Sequence, residues 1–467
     1  MIQLKKVIKL RTVVSTSAGM ALATSCYLAG LQVANMVSGD LAWVSILIAG
    51  ILALLSSLNF SELTSLYPTA AGIKLFIQNA FSEKIAIIIG MFYVVLGISM
   101  VGAESYLLSS VLSSTMPLFH PYWDRLFWMV FFILFVGVIN FRGVKITGFV
   151  QDILTYSMLT FLILISIYAF WRHGFHFNLP FRGSSAQAGN IFQAAGVGIF
   201  LYVGYEWVAP LAEETTDYRM ISKGMMIAIG LLSVTYALFI VAMHQGLTEA
   251  QLRSGTLIPH ILFAQNLLGT KGVVLFVIVS ILASVTSFNA GLLNTSRFTY
   301  AMARDNVLPR TFSKLHLSYA TPWVAILGLV LFSISISLVI FFTGQYLYII
   351  MLAAALECFI YVVTAVCVIR LRKKFPDQPR AFKIPFGMTF PVLTIIIFTG
   401  LLIGIFSDVT RDYNGTVLFH NYWVAFGMAL FFMFTTFYTL RIVPILKQKA
   451  AARAAVRKRR RPGRNGR

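Results

Sequence analysis

Long runs without Asp, Glu, Lys or Arg recur along the whole chain, and they constrain the fold more than any other feature of the sequence. Of the 467 residues, 58% are hydrophobic and only 11% are charged, and the mean hydropathy is +0.82. About 20 consecutive apolar residues are needed for a helix to cross the hydrocarbon core of a bilayer, and runs of this kind fill the chain. The sequence therefore predicts an all-α polytopic membrane protein with no separate soluble domain.

About twelve transmembrane helices are predicted from the apolar runs and the short polar turns between them. The stretch 246–270 contains Glu249, Arg253 and Pro259 and is typical of an amphipathic external segment. The predicted spans lie at about 12–37, 42–66, 85–113, 125–141, 148–171, 190–212, 221–245 and 271–302, with two more inside 321–369 and the last two at about 385–407 and 419–443. They form one transmembrane domain over residues 1–446.

The formal net charge of +21 indicates an orientation in the membrane and does not point to nucleic acid as a partner. The basic residues lie in alternate loops and at the C-terminus, without the interleaved aromatic residues of a nucleic-acid-binding face. Because basic loops stay in the cytoplasm, both termini are predicted to be cytoplasmic in a multi-pass protein of the cytoplasmic membrane. The basic tail 447–467 is predicted to be a disordered orientation signal; attraction to anionic lipid is the alternative.

Cysteine and histidine usage gives no sign of a disulfide framework or a metal site. Cys26, Cys358 and Cys367 all lie in apolar runs, where they are expected to act as small buried side chains. The seven histidines form no cluster with metal-ligand spacing. We therefore expect no cofactor, no metal and no catalytic residue.

The stretch from Gly196 to Thr215, GVGIFLYVGYEWVAPLAEET, is apolar enough to enter a bilayer but carries Gly204, Glu206 and Pro210. Gly204 lets the backbone leave helical geometry, and Pro210 lacks the N–H group that would continue the helical hydrogen bonds. Unwound backbone at membrane depth survives only where it lines protein or water. The stretch is thus predicted to be a broken helix at a substrate cavity, with the costly carboxylate of Glu206 as a functional candidate. A Pro-kinked packing helix, with Glu206 paired to an Arg or near the interface, is the alternative.

A second break is predicted in the first span. The run SAGMALATSCYLAG, residues 17–30, concentrates small and hydroxyl residues where Leu would be expected for packing alone. The N-terminus of a half-helix suits a carboxylate, and released carbonyl groups suit an ammonium group, so a pair of breaks suits a zwitterion. A stripe of small residues for close helix packing remains the alternative.

Other polar residues also lie inside predicted spans. Glu104 in span three and Glu357 in span ten are each open to two interpretations, a proton or cation site or a bond to a neighbouring helix. Asn289 in span eight favours an interhelical hydrogen bond over a ligand contact. Arg297 and Arg304, at the exit of span eight, are expected to be orientation and headgroup anchors.

Several ordered blocks resemble the amino acid–polyamine–organocation (APC) family of transporters. Span six with its exit, GYEWVAPLAEET, resembles that family's Gly-Phe-Glu…Ala-Glu-Glu signature, and SRFTYAMARDNVLP at 296–309 resembles its exit of span eight, followed by Thr321-Pro322. Further similar blocks are SELTSLYPTAAG after span two, NFRGVK before span five and RAFKIP at 380–385 before span eleven. The blocks occur in the family's order over nearly the full chain, so the chain is identified as similar to an APC-family amino acid permease.

The resemblance implies a five-plus-five inverted-repeat fold with broken helices one and six and alternating access to a mid-membrane site. Repeat one would cover about 12–171, repeat two about 190–369, and helices eleven and twelve about 385–443. The substrate carboxylate would lie at the backbone of Ala23, Thr24 and Ser25. The amino group would lie at the backbone around residues 200–204, and Glu206 would support or gate the unwound segment. The implied substrate-binding residues in this second segment are Phe200, which would cap the substrate, Tyr202, Val203 and Gly204.

The chain departs from the family pattern at two places. The family's Gly-Ser-Gly is absent from span one, and Met158 stands where many proton-coupled members have a Lys in span five. A coupling mechanism based on that amine is therefore not expected here. The gating or coupling candidates are Glu206, Glu104, Asp152, Glu357 and Asn289.

The sequence as a whole predicts a secondary active transporter that moves an amino acid or a related amine across the cytoplasmic membrane. The acidic residues Glu104 and Glu206 mildly favour a cationic substrate. Expected partners are the small-molecule substrate, membrane lipids and a coupling ion, either proton or sodium, with no obligate protein partner. The alternatives are a polyamine/amino acid exchanger of the same fold, a transport-inactive amino acid sensor, and a membrane-embedded enzyme that uses Glu104, Glu206 and Glu357.

Overall fold

The fold is described from a computed structural model of the chain. The structure describes residues 6–37, 39, 41–174, 191, 194–252, 254, 258–407, 409–411 and 417–459. The charged residues Asp40, Arg182, Arg253, Asp408 and Asp412 lie outside these ranges.

Up to twelve candidate membrane spans lie within these ranges, in agreement with the predicted number. Eleven helical segments are long and apolar enough to cross a bilayer, and one further pair of helices passes the same test together. The pair is α1 (Leu10–Ala21) and α2 (Thr24–Met36), which together form span one. Spans two to twelve are Ala42–Leu66, Glu83–Thr115, Tyr122–Phe141, Val144–His173, Ala194–Glu213, Arg219–Gln245, Thr270–Arg304, Trp323–Thr343, Tyr346–Lys374, Thr389–Ser407 and Tyr422–Arg453.

Short elements connect the spans. A helix over Gly72–Ala80 follows span two, and the predicted external segment contains the helices Glu249–Leu252 and Pro259–Leu268. Between spans eleven and twelve, strand β1 (Val409–Arg411) pairs antiparallel with β2 (Val417–His420). Apart from an isolated parallel bridge between Ile8 and Thr215, this hairpin is the only β-structure in the described ranges.

The C-terminal tail differs from its predicted disorder. A helix covers Val443–Arg459 and thus continues span twelve into the tail. Its sequence is rich in Ala, Lys, Arg and Gln, which are strong helix formers and lose little side-chain freedom in a helix. Residues 460–467 lie outside the described part of the chain.

The packing of the first ten spans has the symmetry of an inverted repeat. Span three packs on spans eight, nine and ten, and span eight packs on spans three, four and five. Spans two and seven pack most extensively on each other. If spans one to five correspond in order to spans six to ten, the contacts of span three with spans nine and ten are equivalent to those of span eight with spans four and five. The contact between spans three and eight and the contact between spans two and seven are each equivalent to themselves. The predicted five-plus-five arrangement therefore agrees with the observed contacts.

Span six lies at the centre of the bundle, and the last two spans lie at its edge. In the most apolar window of span six 83% of the residues are buried, against 17% in spans eleven and twelve. Spans eleven and twelve have few protein neighbours and cannot enclose a ligand. We therefore expect an enclosed site to be formed by the first ten spans.

Arg297 corrects one expectation from the sequence. Its side chain is fully buried, and its Nε donates a hydrogen bond to Glu214 Oε2 over 2.8 Å. A headgroup anchor would instead be exposed at the interface. The sequence could not show this, because Glu214 comes from span six, 83 positions away in the chain. Arg304 pairs with Glu213 over 2.8 Å and remains partly exposed.

Candidate substrate site at the two broken helices

Span one is broken between α1 and α2, as the sequence predicts for residues 17–30. The two helix axes are bent by 62°. Leu22 has φ −84° and ψ 65°, and Ala23 has φ −104° and ψ 155°, so neither continues the helix. Ala23 is the N-cap residue of α2, and it has no side-chain oxygen to accept from the first N–H groups of that helix. Those N–H groups are left for another acceptor.

Glu104 of span three provides that acceptor. Its Oε1 accepts hydrogen bonds from Thr24 N over 2.5 Å and from Ser284 Oγ over 2.9 Å. Its Oε2 accepts from Ser25 N over 3.2 Å. The Glu104 side chain is buried, so its carboxylate lies against the N-terminus of α2 inside the bundle. This arrangement is favourable because a helix N-terminus carries partial positive charge.

Span six is broken at Val203 and Gly204. A 3₁₀ turn, Ile199–Tyr202, precedes them and a longer 3₁₀ segment, Tyr205–Glu213, follows. Gly204 has φ +107°, a left-handed conformation that side-chain-bearing L residues rarely adopt. A Cβ atom at this position would also collide with the side chain of Met20. The predicted interruption is therefore present, and it requires glycine for two independent reasons.

The two breaks lie next to each other. Ser17 Oγ of α1 donates a 2.6 Å hydrogen bond to the carbonyl oxygen of Tyr205, the residue after the break in span six. At the end of α1, Ser287 Oγ donates to Met20 O over 3.1 Å and Tyr236 OH donates to Ala21 O over 2.7 Å. Spans seven and eight thus bind the free carbonyl groups of α1 and hold it against span six.

Glu206 and Glu357 form a buried carboxyl pair beside the second break. Tyr361 OH donates to Glu206 Oε2 over 3.1 Å, and Glu357 lies one helical turn before Tyr361 in span ten, with its side chain buried. Among the described residues, no donor reaches Glu206 Oε1 or either Glu357 oxygen, and no Arg, Lys or His pairs with them. Within the described part of the chain, Glu206 therefore lacks the Arg partner that the alternative interpretation requires.

Asp152 and Asn289 lie nearer the start of span one and have all their polar atoms engaged. Asp152 accepts hydrogen bonds from Arg11 Nε over 2.7 Å, Thr12 Oγ1 over 3.0 Å and Ser15 Oγ over 2.5 Å. These contacts tie span five to α1 and leave Asp152 paired.

Asn289 joins spans four, five and eight. Its Oδ1 accepts from Asn140 Nδ2 over 3.0 Å, and its Nδ2 donates to Gln151 Oε1 over 2.7 Å and to Thr147 O over 3.1 Å. This network is the interhelical role that the sequence favours for Asn289.

Of the predicted substrate-binding residues in span six, Tyr202 forms side-chain hydrogen bonds with other spans. The Tyr202 hydroxyl donates to Ile46 O over 2.8 Å and contacts Ser233 Oγ at 3.0 Å, so the side chain points towards spans two and seven. Val203 is buried and Phe200 is half-buried in the turn before the break. The substrate-binding assignments at residues 23–25 and 200–204 stay predictions.

Two residues of this region were missed in the sequence. Ser284 belongs to a set of hydroxyl residues in span eight, Ser280, Ser284 and Ser287, whose spacing places them on one helix face. Tyr361 follows Glu357 by one helical turn, the spacing at which side chains on a helix meet. Both patterns were visible, but the sequence does not reveal which neighbouring span each face contacts.

Known proteins resemble the chain over most of its length. A family model described as amino acid permease matches residues 8–440. The serine/threonine exchanger SteT of Bacillus subtilis is 25% identical, with 77% of this chain and 82% of the relative covered. The branched-chain amino acid permease BcaP of the same organism is 23% identical (84% and 85% covered), and its methylthioribose transporter is 24% identical (90% and 92% covered). The chain therefore belongs to the amino acid permease family of membrane transporters.

Proposed function

We propose that this permease is a secondary active transporter that moves an amino acid or a related amine across the cytoplasmic membrane by alternating access, with no covalent chemistry. The observation that carries the proposal is the pair of facing breaks, at Leu22–Ala23 and at Val203–Gly204. Two spans that lose regular helical hydrogen bonding side by side expose peptide groups to partners outside their own helices, here side chains such as Glu104, and such breaks cost stability unless they serve a ligand.

The substrate lies between the two breaks in this proposal. The backbone of Ala23, Thr24 and Ser25 faces it from span one, and the backbone of residues 200–204 faces it from span six. Phe200, which is half-buried in the turn before the second break, flanks the substrate. Tyr202 contributes no polar side-chain contact in this proposal, because its hydroxyl donates to Ile46 O of span two.

The contacts of α1 on the side of the N-terminus form the cytoplasmic gate. The amide nitrogens of Val7 and Ile8 donate to Glu214 O over 2.9 and 3.0 Å, and the carboxylate of the same Glu214 pairs with buried Arg297. These bonds hold the start of span one to the exit of span six. Opening to the cytoplasm requires α1 to separate from this exit, with both termini on that side of the membrane.

The coupling ion is a proton held by Glu206 and Glu357. Both carboxyl groups are buried without a cationic partner among the described residues, which disfavours their charged forms, and Tyr361 donates a hydrogen bond to Glu206 alone. Since Glu206 follows the break in span six by two residues, rearrangement of that break changes the surroundings of the pair. Loss of the proton leaves two like charges in a buried site, which favours a conformation that separates them.

The relatives leave the substrate open. They are named for serine and threonine, for branched-chain amino acids and for methylthioribose, and one is an exchanger. The proposal therefore extends to amino acids and related small polar molecules, by exchange or by proton symport.

Purified protein in liposomes tests the proposal. A panel of labelled amino acids, monoamines and diamines is offered with and without an inward proton gradient, and substrate binding is measured in parallel. Accumulation of at least one compound, increased by the gradient, is expected. Binding without flux indicates a sensor, and neither binding nor flux for any compound contradicts the proposal.

A further inference from the structure

We infer that Glu104 supplies, at the N-terminus of α2, the carboxylate that a zwitterionic substrate would otherwise bring, so that the substrate is an amine with no free carboxylate next to its amino group. This class includes monoamines, diamines and amino acid amides. The inference rests on the proposed transport function and assigns the substrate class of the same site.

The first observation is that the N–H groups suited to a substrate carboxylate are already bonded. Thr24 N and Ser25 N are the first amides of α2, and they donate to the two separate oxygens of Glu104. Ser284 Oγ adds a third donor and fixes the carboxylate from span eight. A second carboxylate would find these donors taken and would meet a like charge at short range in a buried site.

The second observation is that Glu104 has no cationic partner among the described residues. The buried carboxylates of Glu62, Asp152 and Glu214 each pair with an arginine. No Lys, Arg or His in the described ranges forms such a pair with Glu104. A buried carboxylate without a cation is unfavourable, and the ammonium group of a substrate would remove that cost on binding.

The third observation is a series of hydrogen-bonding side chains that leads from Glu104 to His260, next to two buried polar atoms with no described partner. Thr24 Oγ1 contacts Ser284 Oγ at 3.0 Å and lies 3.4 Å from Ser280 O, and Ser280 Oγ contacts His260 Nε2 at 2.8 Å. His260 and Tyr27 are fully buried with ring centroids 4.9 Å apart. Neither His260 Nδ1 nor the Tyr27 hydroxyl has a hydrogen-bond partner in the described part of the chain.

Such buried atoms normally find a partner, and a ligand supplies one here. Tyr27 lies one turn into α2, beyond the amides that Glu104 caps. The site thus offers one fixed negative charge and further hydrogen-bonding groups beside it, which suits an amine with an additional polar group or a ring.

The test compares matched pairs of compounds that differ only in the carboxylate: isopentylamine with leucine, ethanolamine with serine, and 1,5-diaminopentane with lysine. Wild-type protein in liposomes is expected to take up or bind at least one amine about tenfold or more better than its matched amino acid. Preference for the amino acid in every transported pair overturns the inference while leaving the transport function intact. Absence of binding and uptake for all six compounds overturns the inference, and the wider panel then decides the transport function.

The variant Glu104→Gln provides a second test. It keeps the size of the side chain and removes the charge. We expect it to lose about tenfold or more in amine uptake and to reverse the preference towards the amino acid, since the repulsion is gone. A variant that is folded by thermal unfolding in detergent and keeps the wild-type preference contradicts the inference. If the variant does not fold, the wild-type comparison still decides.

Discussion

Ser17 Oγ and the carbonyl oxygen of Tyr205 lie 2.6 Å apart, and this hydrogen bond connects the two broken spans directly. Both residues are fully buried. Each belongs to the segment that flanks a break, so the bond fixes the position of one break relative to the other.

Replacement of Ser17 is predicted to lower the uptake rate strongly and to lower the free energy of unfolding only modestly. Ser17→Ala leaves a buried carbonyl group without its donor, which costs about 1–3 kcal/mol. Uptake in liposomes should fall, because the two breaks lose their alignment. Ser335→Ala is the matched control, since the Ser335 hydroxyl is exposed and bonds only within its own helix. Equal uptake by the two variants would argue against this role for Ser17.

Gly204 is predicted to tolerate no side chain. Gly204→Ala places a Cβ against Met20 and forces an L residue into a left-handed conformation, which costs about 1–2 kcal/mol from the backbone alone. Loss of uptake with normal membrane insertion is expected. Gly230→Ala in span seven is the control, because no atom lies within 4 Å of its added Cβ and alanine favours the helix. Wild-type uptake by the Gly204 variant would contradict the geometry of the second break.

The carboxyl pair is predicted to make uptake depend on a proton gradient. Glu357→Gln keeps the size and polarity of the side chain but can no longer exchange a proton. The variant should lose stimulation by an inward proton gradient while it still exchanges internal for external substrate. Glu83→Gln, at the exposed start of span three, is the control. A Glu357 variant with full gradient stimulation would show that coupling lies elsewhere.

The buried ion pair at the exit of span six is predicted to be essential for stability. Arg297→Met leaves Glu214 as a buried charge without its partner, which costs about 3–5 kcal/mol. Thermal unfolding in detergent should show a clear drop in stability. The double variant Arg297→Met with Glu214→Gln should recover part of it, since no unpaired charge remains. An unchanged melting temperature in the single variant would rule out this contribution.

The sequence predicted the spans and both breaks because these depend on local properties. Apolar length determines where the chain can cross a bilayer, and Gly204 and Pro210 interrupt a helix wherever they occur. The small residues at 17–30 pointed to the first break for the same reason. Each signal lies within one segment of about 20 residues and needs no knowledge of its neighbours.

The contacts across the site could not be predicted in the same way. Whether Glu104 meets a cation, a proton or the N-terminus of α2 depends on how span three packs against span one, 80 positions away in the chain. The burial of Arg297 and the hydrogen bond from Tyr361 to Glu206 likewise arise only when distant spans come together. A sequence pattern identifies such residues as costly inside a membrane, but only packing identifies their partners.

The most direct test of the account is protection of the break in span six by substrate. In a protein whose three native cysteines are replaced, Val203→Cys is alkylated in liposomes in the presence and absence of a transported compound, with Gly230→Cys as the control. We expect the compound to slow alkylation at position 203 and to leave position 230 unchanged. Equal alkylation at position 203 with and without a compound that the same protein transports would contradict a substrate site between the two broken helices.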